Sequence, residues 1–285
     1  MGTRPTDDIE PAHLRDAADR TFSIARYEAP PHLSAWLRRF WIPVWDVPEQ
    51  RSSVQSVLQH PVCIAVTTPA YSRLAGPDRG ISRTELRGRS WALGLLFAPA
   101  AGVHLAGGPV GALTDGWRDL DDVPIATGLT SQVRDLMTDD PLDEQRHARV
   151  RSLWEERLER LGDPDEESLF VNEIVGIIET DRTIRSVAAL SRRLDISERS
   201  LQRLTVRRLG LSPAWLVRRR RLHEASARLR WGSESLAEIA AELGYADQAH
   251  FSRDIRTVTG MTPRQIMRRG RADQQTATER PAARA

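Results

Sequence analysis

A segment near the C-terminal end of the chain occurs twice, 50 residues apart, and this repeat restricts the possible folds more than any other feature. Gly210-Leu211-Ser212-Pro213 leads into Leu216-Val217-Arg218-Arg219, and Gly260-Met261-Thr262-Pro263 leads into Ile266-Met267-Arg268-Arg269. Upstream of each lies an apolar, Ala-rich helix pattern, a tight turn, and a second helix with an outward Arg, Arg203 in one copy and Arg253 in the other. Each copy reads as a helix-turn-helix unit.

In the first copy Val187, Leu190, Leu194, Leu201 and Leu204 supply a small shared core, and Ser197 is placed to cap the second helix with Glu198 at its positive end. The second copy runs Ser235 to Leu243, then Gly244-Tyr245-Ala246, then Asp247 to Arg256. The offset between copies is 49 before the turn and 50 after it, so the second turn holds one extra residue, and Gly244 suits a helix end with positive φ. Between the copies Pro213 to Arg230 reads as a linking helix of about 27 Å, capped by Ser212.

Two such units on one rod can place two helices in successive major-groove segments of one DNA face, about 34 Å apart. A reading helix must expose planar or short polar side chains near its N-terminus. Arg199, Gln202, Arg203 and Arg207 do so in the first copy; Gln248, Ala249, Ser252, Arg253 and Arg256 do so in the second. Arg pairs with guanine and Gln with adenine through two hydrogen bonds each, while helix N-termini and flanking Arg residues suit phosphates. The run Arg218 to Arg221 is less specific, because a helix spreads four consecutive residues around its circumference and at most two share a side.

Charge follows the same division. Residues 182–271 carry 20 Arg against 8 Asp and Glu, a net +12, whereas residues 1–181 carry a net −10. A small basic domain beside an acidic one is a nucleic-acid footprint. All 41 basic residues are Arg, so every basic contact to phosphate or guanine would be a guanidinium contact.

The rest of the chain differs in pattern. Residues 1–20 read as a flexible arm with no hydrophobic signal core. From 21 to 162, short apolar runs such as Leu58, Val62, Ile64, Val66 and Trp91, Leu93, Leu95, Phe97 are broken by Gly and Pro, which suggests a β-sandwich or small barrel. Leu33, Trp36, Leu37 and Phe40 fall at helical spacing and suggest a short helix over one barrel end. Val150, Leu153, Trp154, Leu158 and Leu161 trace a helical stripe that suits either packing on this domain or dimerisation. Leu161 to Asp165 breaks the helix, the helical domain occupies 166–271, and 272–285 reads as a disordered tail. The fold class is therefore α+β, with an N-terminal β-domain and a C-terminal all-α domain of two helix-turn-helix motifs joined by a linker helix.

The final hundred residues resemble the AraC/XylS family of bacterial transcription regulators. The resemblance rests on Ala240-Ala241-Glu242-Leu243-Gly244-Tyr245, Asp247 to Arg253, and Val258 to Pro263. It implies that Arg199, Gln202, Arg203 and Arg253 reach into the major groove. Two departures stand out. Asp254-Ile255 replaces a small or basic residue followed by Phe, which should weaken a nearby phosphate contact, and Thr205 replaces a Phe, which should loosen the first core. The N-terminal part, through Arg26 to Pro31, Phe40 to Trp45, Leu58 to Pro61, Leu74 to Gly76 and Phe97 to Gly102, resembles the cupin-like half that some members use for sensing or dimerisation. Trp41, Trp45, His60 and Trp91 are candidates to line an effector pocket there.

Catalysis is disfavoured. The seven His residues form no close metal-binding pair, and a Gly-x-Ser-x-Gly elbow and a phosphate-binding Gly-Lys loop are absent from the sequence. The competing readings are a cupin-type metal-dependent enzyme and a DNA-repair methyl acceptor; the latter needs several Cys, and the chain has only Cys63. No 18-residue apolar stretch exists, and single-Cys usage suits a reducing compartment. The expected protein is a cytoplasmic transcription regulator without cofactor or metal, not an enzyme. Its expected partner is double-stranded DNA, with RNA polymerase, a small-molecule effector and a second copy of the chain as further candidates.

Overall fold

The computed structural model describes His13 and residues 19–278. The N-terminal domain is built on antiparallel strands: β1 (Phe22–Glu28), β2 (Leu37–Val47), β3 (Ser53–Val57), β4 (Ile64–Thr67), β5 (Ser72–Ala75), β6 (Ser82–Leu86), β7 (Gly88–Trp91), β8 (Leu93–Phe97) and β9 (Trp117–Asp119). Seven of them form one sheet in the order β1-β2-β8-β4-β5-β9, with β7 also on β2; β3 and β6 form a separate ribbon. The helix expected over Leu33 to Phe40 is absent. Only Pro31–Leu33 makes a 3₁₀ turn, and Leu37 starts an eleven-residue strand. The run Phe40-Trp41-Ile42-Pro43-Val44-Trp45 explains this, being aromatic and β-branched with an interior Pro that a helix would not accept.

Three helices complete this domain: α1 (Ala101–Ala106), α2 (Leu129–Met137) and α3 (Glu144–Glu159). Val150, Trp154 and Leu158 of α3 are fully buried in the same core as Phe40, Leu95 and Phe97. The stripe on α3 thus packs on its own domain. Trp154 meets Phe97 edge to face, with centroids 6.2 Å apart, and truncating so buried a ring costs roughly 3–5 kcal/mol.

The helical domain contains α4 (Glu166–Thr180), α5 (Val187–Leu194), α6 (Glu198–Leu209), α7 (Pro213–Trp231), α8 (Leu236–Glu242), α9 (Gln248–Thr259) and α10 (Pro263–Thr278). Leu190 and Leu201 are buried in the first unit with Ile174, Ile178, Leu216 and Val217. Ile239, Phe251, Ile255 and Ile266 are buried in the second with Leu222, Ala225 and Leu229. Helix α7 therefore belongs to both cores. The last helix continues to Thr278, past the expected tail boundary at 272, because Ala272, Gln274, Gln275 and Ala277 are good helix formers that extend it without a stop signal; the remainder of the expected tail, 279–285, lies outside the described residues. Of the expected arm, His13 bridges Val57 and bonds Gln55 at 2.7 Å, and Asp19 accepts from Thr21 and Ser53. The rest of 1–18 also lies outside the described residues.

The two domains are joined by polar and apolar contacts. Asn172 donates to the Ala35 carbonyl and accepts from the Ala100 amide, both at 2.9 Å. Arg38 grips Glu179 through two bonds of 3.0 and 3.1 Å, and His60 Nδ1 lies 3.7 Å from the same carboxylate. Leu58, just beyond β3, is fully buried in the core of the second helix-turn-helix unit. Arg219 of α7, 2% exposed, donates to the Gln59 carbonyl at 2.7 Å and the Gly80 carbonyl at 3.2 Å.

Burial alone would raise the Glu179 pKa, but hydrogen bonding to His60 and the Arg38 charge outweigh it and hold the carboxyl at about 2. A lowered folded-state pKa contributes stability that is complete above the unfolded value of 4.5 and is lost as pH falls through about 2. Glu179→Gln is therefore expected to destabilise the protein by about 1–3 kcal/mol at pH 7. In denaturant titrations, its deficit relative to the parent chain should shrink between pH 4.5 and pH 2.

Candidate nucleic-acid interface

The local sequence sets the helix starts that carry the site. Ser186 accepts from the Ala189 amide, Ser197 from Ser200 and Ser212 from Trp215. Ser235 and Glu238 form a capping box, and Asp247 accepts from His250. Each such cap is worth about 1 kcal/mol. The helices before α6 and α9 each end at a left-handed residue, Asp195 with φ 53° and Gly244 with φ 74°. These two are 49 apart, as are Ile196 and Tyr245, whose amides both reach back to close the turn. The N-caps Ser197 and Asp247 are 50 apart. The extra residue of the second copy therefore sits after Tyr245, at Ala246.

With helix starts fixed, 100° per residue decides which side chains face out. Leu201 and Leu209 turn into the first core, and Phe251 and Ile255 into the second. The opposite face of α6 carries Arg199, Gln202 and Arg203, all exposed. The matching face of α9 carries exposed Ala249, Arg253 and Arg256 with half-buried Ser252, and Gln248 is exposed at its first turn. Among the described residues neither Arg199, Arg203 nor Arg253 joins an ion pair, so these guanidinium groups keep their donors open to solvent. Arg207 differs. It is ion-paired with Glu167 of α4, whose other oxygen takes Arg208 at 3.1 Å, so it is drawn toward its own domain.

The four-Arg run serves the fold instead. Arg219 is buried against the N-terminal domain, and Arg220 donates to Glu224 at 2.8 Å and to the Ile184 carbonyl at 3.0 Å. Arg221 stacks 4.1 Å over the Tyr245 ring, and Arg218 pairs with Asp254. Asp254 also accepts from the Tyr245 hydroxyl at 2.8 Å. The residue expected to weaken a phosphate contact thus ties α9 to α7, a role that its exposed-looking sequence position did not signal. Thr205 is buried at the core position expected for it, and its hydroxyl reaches the Gln202 carbonyl at 3.4 Å. His250 packs edge-on to Tyr245 with centroids 5.3 Å apart.

The four candidate effector residues do not converge. Strand residues alternate faces, and directly paired residues share one. Trp91 pairs with Val44 and faces the core, whereas Trp41 and Trp45 have the opposite parity. Trp41 lies against Gly94, where any Cβ would overlap the indole. Trp45 donates to the Arg87 carbonyl at 3.2 Å on the surface. His60 sits at the domain junction, 5.0 Å from the His223 ring. Burial, then the charges of His60 and Arg219, push His223 well below its usual pKa. Its Nε2 donates to the Gln59 carbonyl at 3.3 Å. Two concavities lie elsewhere. One is an open groove of about 400 Å³ on α2 and α3, lined by Leu136, Ala148, Arg149, Ser152, Leu153 and Glu156. The other is a cleft of about 90 Å³ between the two units, lined by Arg182, Arg185, Arg220 and Arg228 with Glu224 and Glu242. Among the described residues no group of three or more His, Cys, Asp or Glu is placed to hold a metal, and no helix is long and apolar enough to cross a membrane.

Known proteins match this chain in two separate parts. Residues 190–269 match a family described as a helix-turn-helix domain, and residues 25–118 match a domain of unknown function, DUF6597. The HTH-type transcriptional activator RhaS of Escherichia fergusonii is 39% identical over 83 residues, which are 29% of this chain and 30% of RhaS. The chain thus spans under a third of that relative's length. A solved AraC-type transcriptional regulator from Chromobacterium violaceum is 27% identical over 34% of this chain and 88% of its own, with a TM-score of 0.32. Unsaturated fatty acid-bound ToxT of Vibrio cholerae is 12% identical over 87% of this chain and 95% of its own, with a TM-score of 0.37.

Removing the Asp254 carboxylate should loosen the second unit. Asp254→Ala is expected to cost about 1.5–3 kcal/mol, the range for hydrogen bonds to a charged group. Hydrogen exchange should speed up across residues 236–259 while residues 187–209 keep their protection.

Proposed function

We propose that the chain, an AraC-type helix-turn-helix protein over residues 190–269, is a transcription regulator that reads two adjacent major-groove segments, one with α6 and one with α9. One observation carries this reading. The two capped helices present matching outward faces, with Arg203 and Arg253 at equivalent registers and no ion pair on either among the described residues. Both helices are also fixed to the one rod, α7, through the cores it shares. A helix face of this kind reads bases through Arg and Gln, while the N-terminal ends of α6 and α9 and neighbouring Arg residues hold phosphates. Arg199, Gln202 and Arg203 are the reading residues of the first box; Gln248, Ala249, Ser252, Arg253 and Arg256 are those of the second. Arg207 is set aside as a base reader, since Glu167 competes for it.

The N-terminal domain is the proposed control element. Leu58 lies in the core of the second unit and Arg219 of α7 is held by Gln59 and Gly80, so a small molecule that moved the loop around Leu58 to His60 would act on the reading rod itself. Nothing in this scheme needs a catalytic group: binding alone is the activity.

Random-site selection with the full chain, followed by footprinting, tests the reading. The expected result is a site of two boxes about one helical turn apart, roughly 34 Å. Arg203→Ala and Arg253→Ala should each relax base preference in one box only, by about 1–3 kcal/mol at the position read. A uniform loss over all sequences would assign both residues to phosphates, and a selected site with a single box would remove the two-helix mechanism.

A further inference from the structure

The open face of α6 contains one residue that its chemistry sets apart. Val206 is 43% exposed, although it lies on a short helix whose other outward groups are polar or charged. At 100° per residue, Arg199, Gln202, Val206 and Arg203 fall on one arc of about 100°, with Val206 near its middle. Buried Leu201 and Arg208 lie on the opposite side of the helix. Val206 is therefore no stray core residue at a rim. In the second copy, 50 residues on, Arg256 occupies the same register and is exposed. The longer neighbours Arg207 and Arg208 are held toward α4 by Glu167 and Ser168, which leaves the two isopropyl methyl groups uncovered.

Exposed apolar groups on a protein surface are ordinary when scattered. One at the centre of a base-reading face has a specific counterpart, because thymine presents a C5-methyl group in the major groove and no other DNA base does. We propose that Val206 is a specificity-determining residue that packs on a thymine methyl in the first box. The proposal rests on the reading of α6 as a base-contacting helix. Val206 lies three residues beyond Arg203, about 4.5 Å along the axis. Base pairs are spaced about 3.4 Å apart, so the thymine is one to two base pairs from the base that Arg203 reads. The second box has no such requirement at the corresponding place, because Arg256 stands there and a guanidinium favours guanine or phosphate. The two boxes therefore differ in sequence by design of this one register, in spite of the repeat.

The test uses the full chain and the site obtained by selection. Each first-box thymine is replaced singly by deoxyuridine, which removes the methyl group and leaves every hydrogen-bonding edge intact. Binding is measured for the parent chain and for Val206→Ala. One substitution should weaken the parent chain about three- to fivefold, the order expected for burying one methyl group, and should leave Val206→Ala unaffected. Deoxyuridine in the second box should not distinguish the two proteins. The proposal is overturned if the selected first box holds no thymine within two base pairs of the position governed by Arg203, or if the parent and variant respond alike at every thymine. It is also overturned if Val206→Ala binds the intact site as the parent does, which would leave Val206 free for a protein partner. Failure of the underlying reading looks different: no selected site emerges, or Arg203→Ala changes no base preference.

Discussion

Helix α7 carries the main constraint in this molecule, because its 19 residues belong to three interfaces at once. Leu216 and Val217 close the first helix-turn-helix core; Leu222, Ala225 and Leu229 close the second. Between them Arg219 is buried against carbonyl groups of the N-terminal domain. A rod of about 28 Å held at three interfaces cannot slide to accommodate one partner without disturbing the others. The relative placement of α6 and α9 is therefore a property of packing along α7, and the N-terminal domain has a direct purchase on it.

The polar contacts around α7 work to the same end. Arg218 and Arg221 hold Asp254 and Tyr245 of the second unit, while Arg220 reaches the chain just before the first. A guanidinium is suited to such places, because its flat, multi-donor head bonds carbonyls and carboxylates while its stem lies among apolar groups. The basic charge of this domain is consequently spent in two ways. Part of it builds the linker, and part, including Arg199, Arg203 and Arg253, stays on open helix faces.

Much of the exposed faces of α6 and α9 was legible in the chain. Ser197 and Asp247 announce the helix starts, the apolar spacing of Leu201 or Phe251 says which side turns inward, and Arg203 and Arg253 then fall outward by period alone. The N-terminal domain was less legible. Leu33 to Phe40 has helical spacing by coincidence; the aromatic, β-branched run that follows, with its interior Pro43, rules the helix out, and the pairing of β2 with β1, β7 and β8, which no local pattern contains, places the strand in the sheet. The Trp residues shared hydrophobicity but not a face, since Trp41 and Trp45 differ in strand parity from the partner of Trp91. Asp254 looked like an impediment to phosphate binding because its partners lie 9 and 36 residues away in sequence.

Sequence by itself determined the local elements that depend on neighbours a few residues away: the repeated unit, its caps, the left-handed helix end at Gly244, and the period that puts Arg199, Gln202 and Arg203 on one side of α6. Tertiary structure decided which charges remain available. Arg207 and Arg203 are alike as residues and both face outward by period, yet Glu167 from α4 claims the first and leaves the second. Likewise Leu58 is an ordinary apolar residue of the N-terminal domain until the fold places it in the core of the second unit. Capping and helical period are short-range and can be read along the chain, whereas ion pairs and domain docking depend on groups that only the folded chain brings within reach.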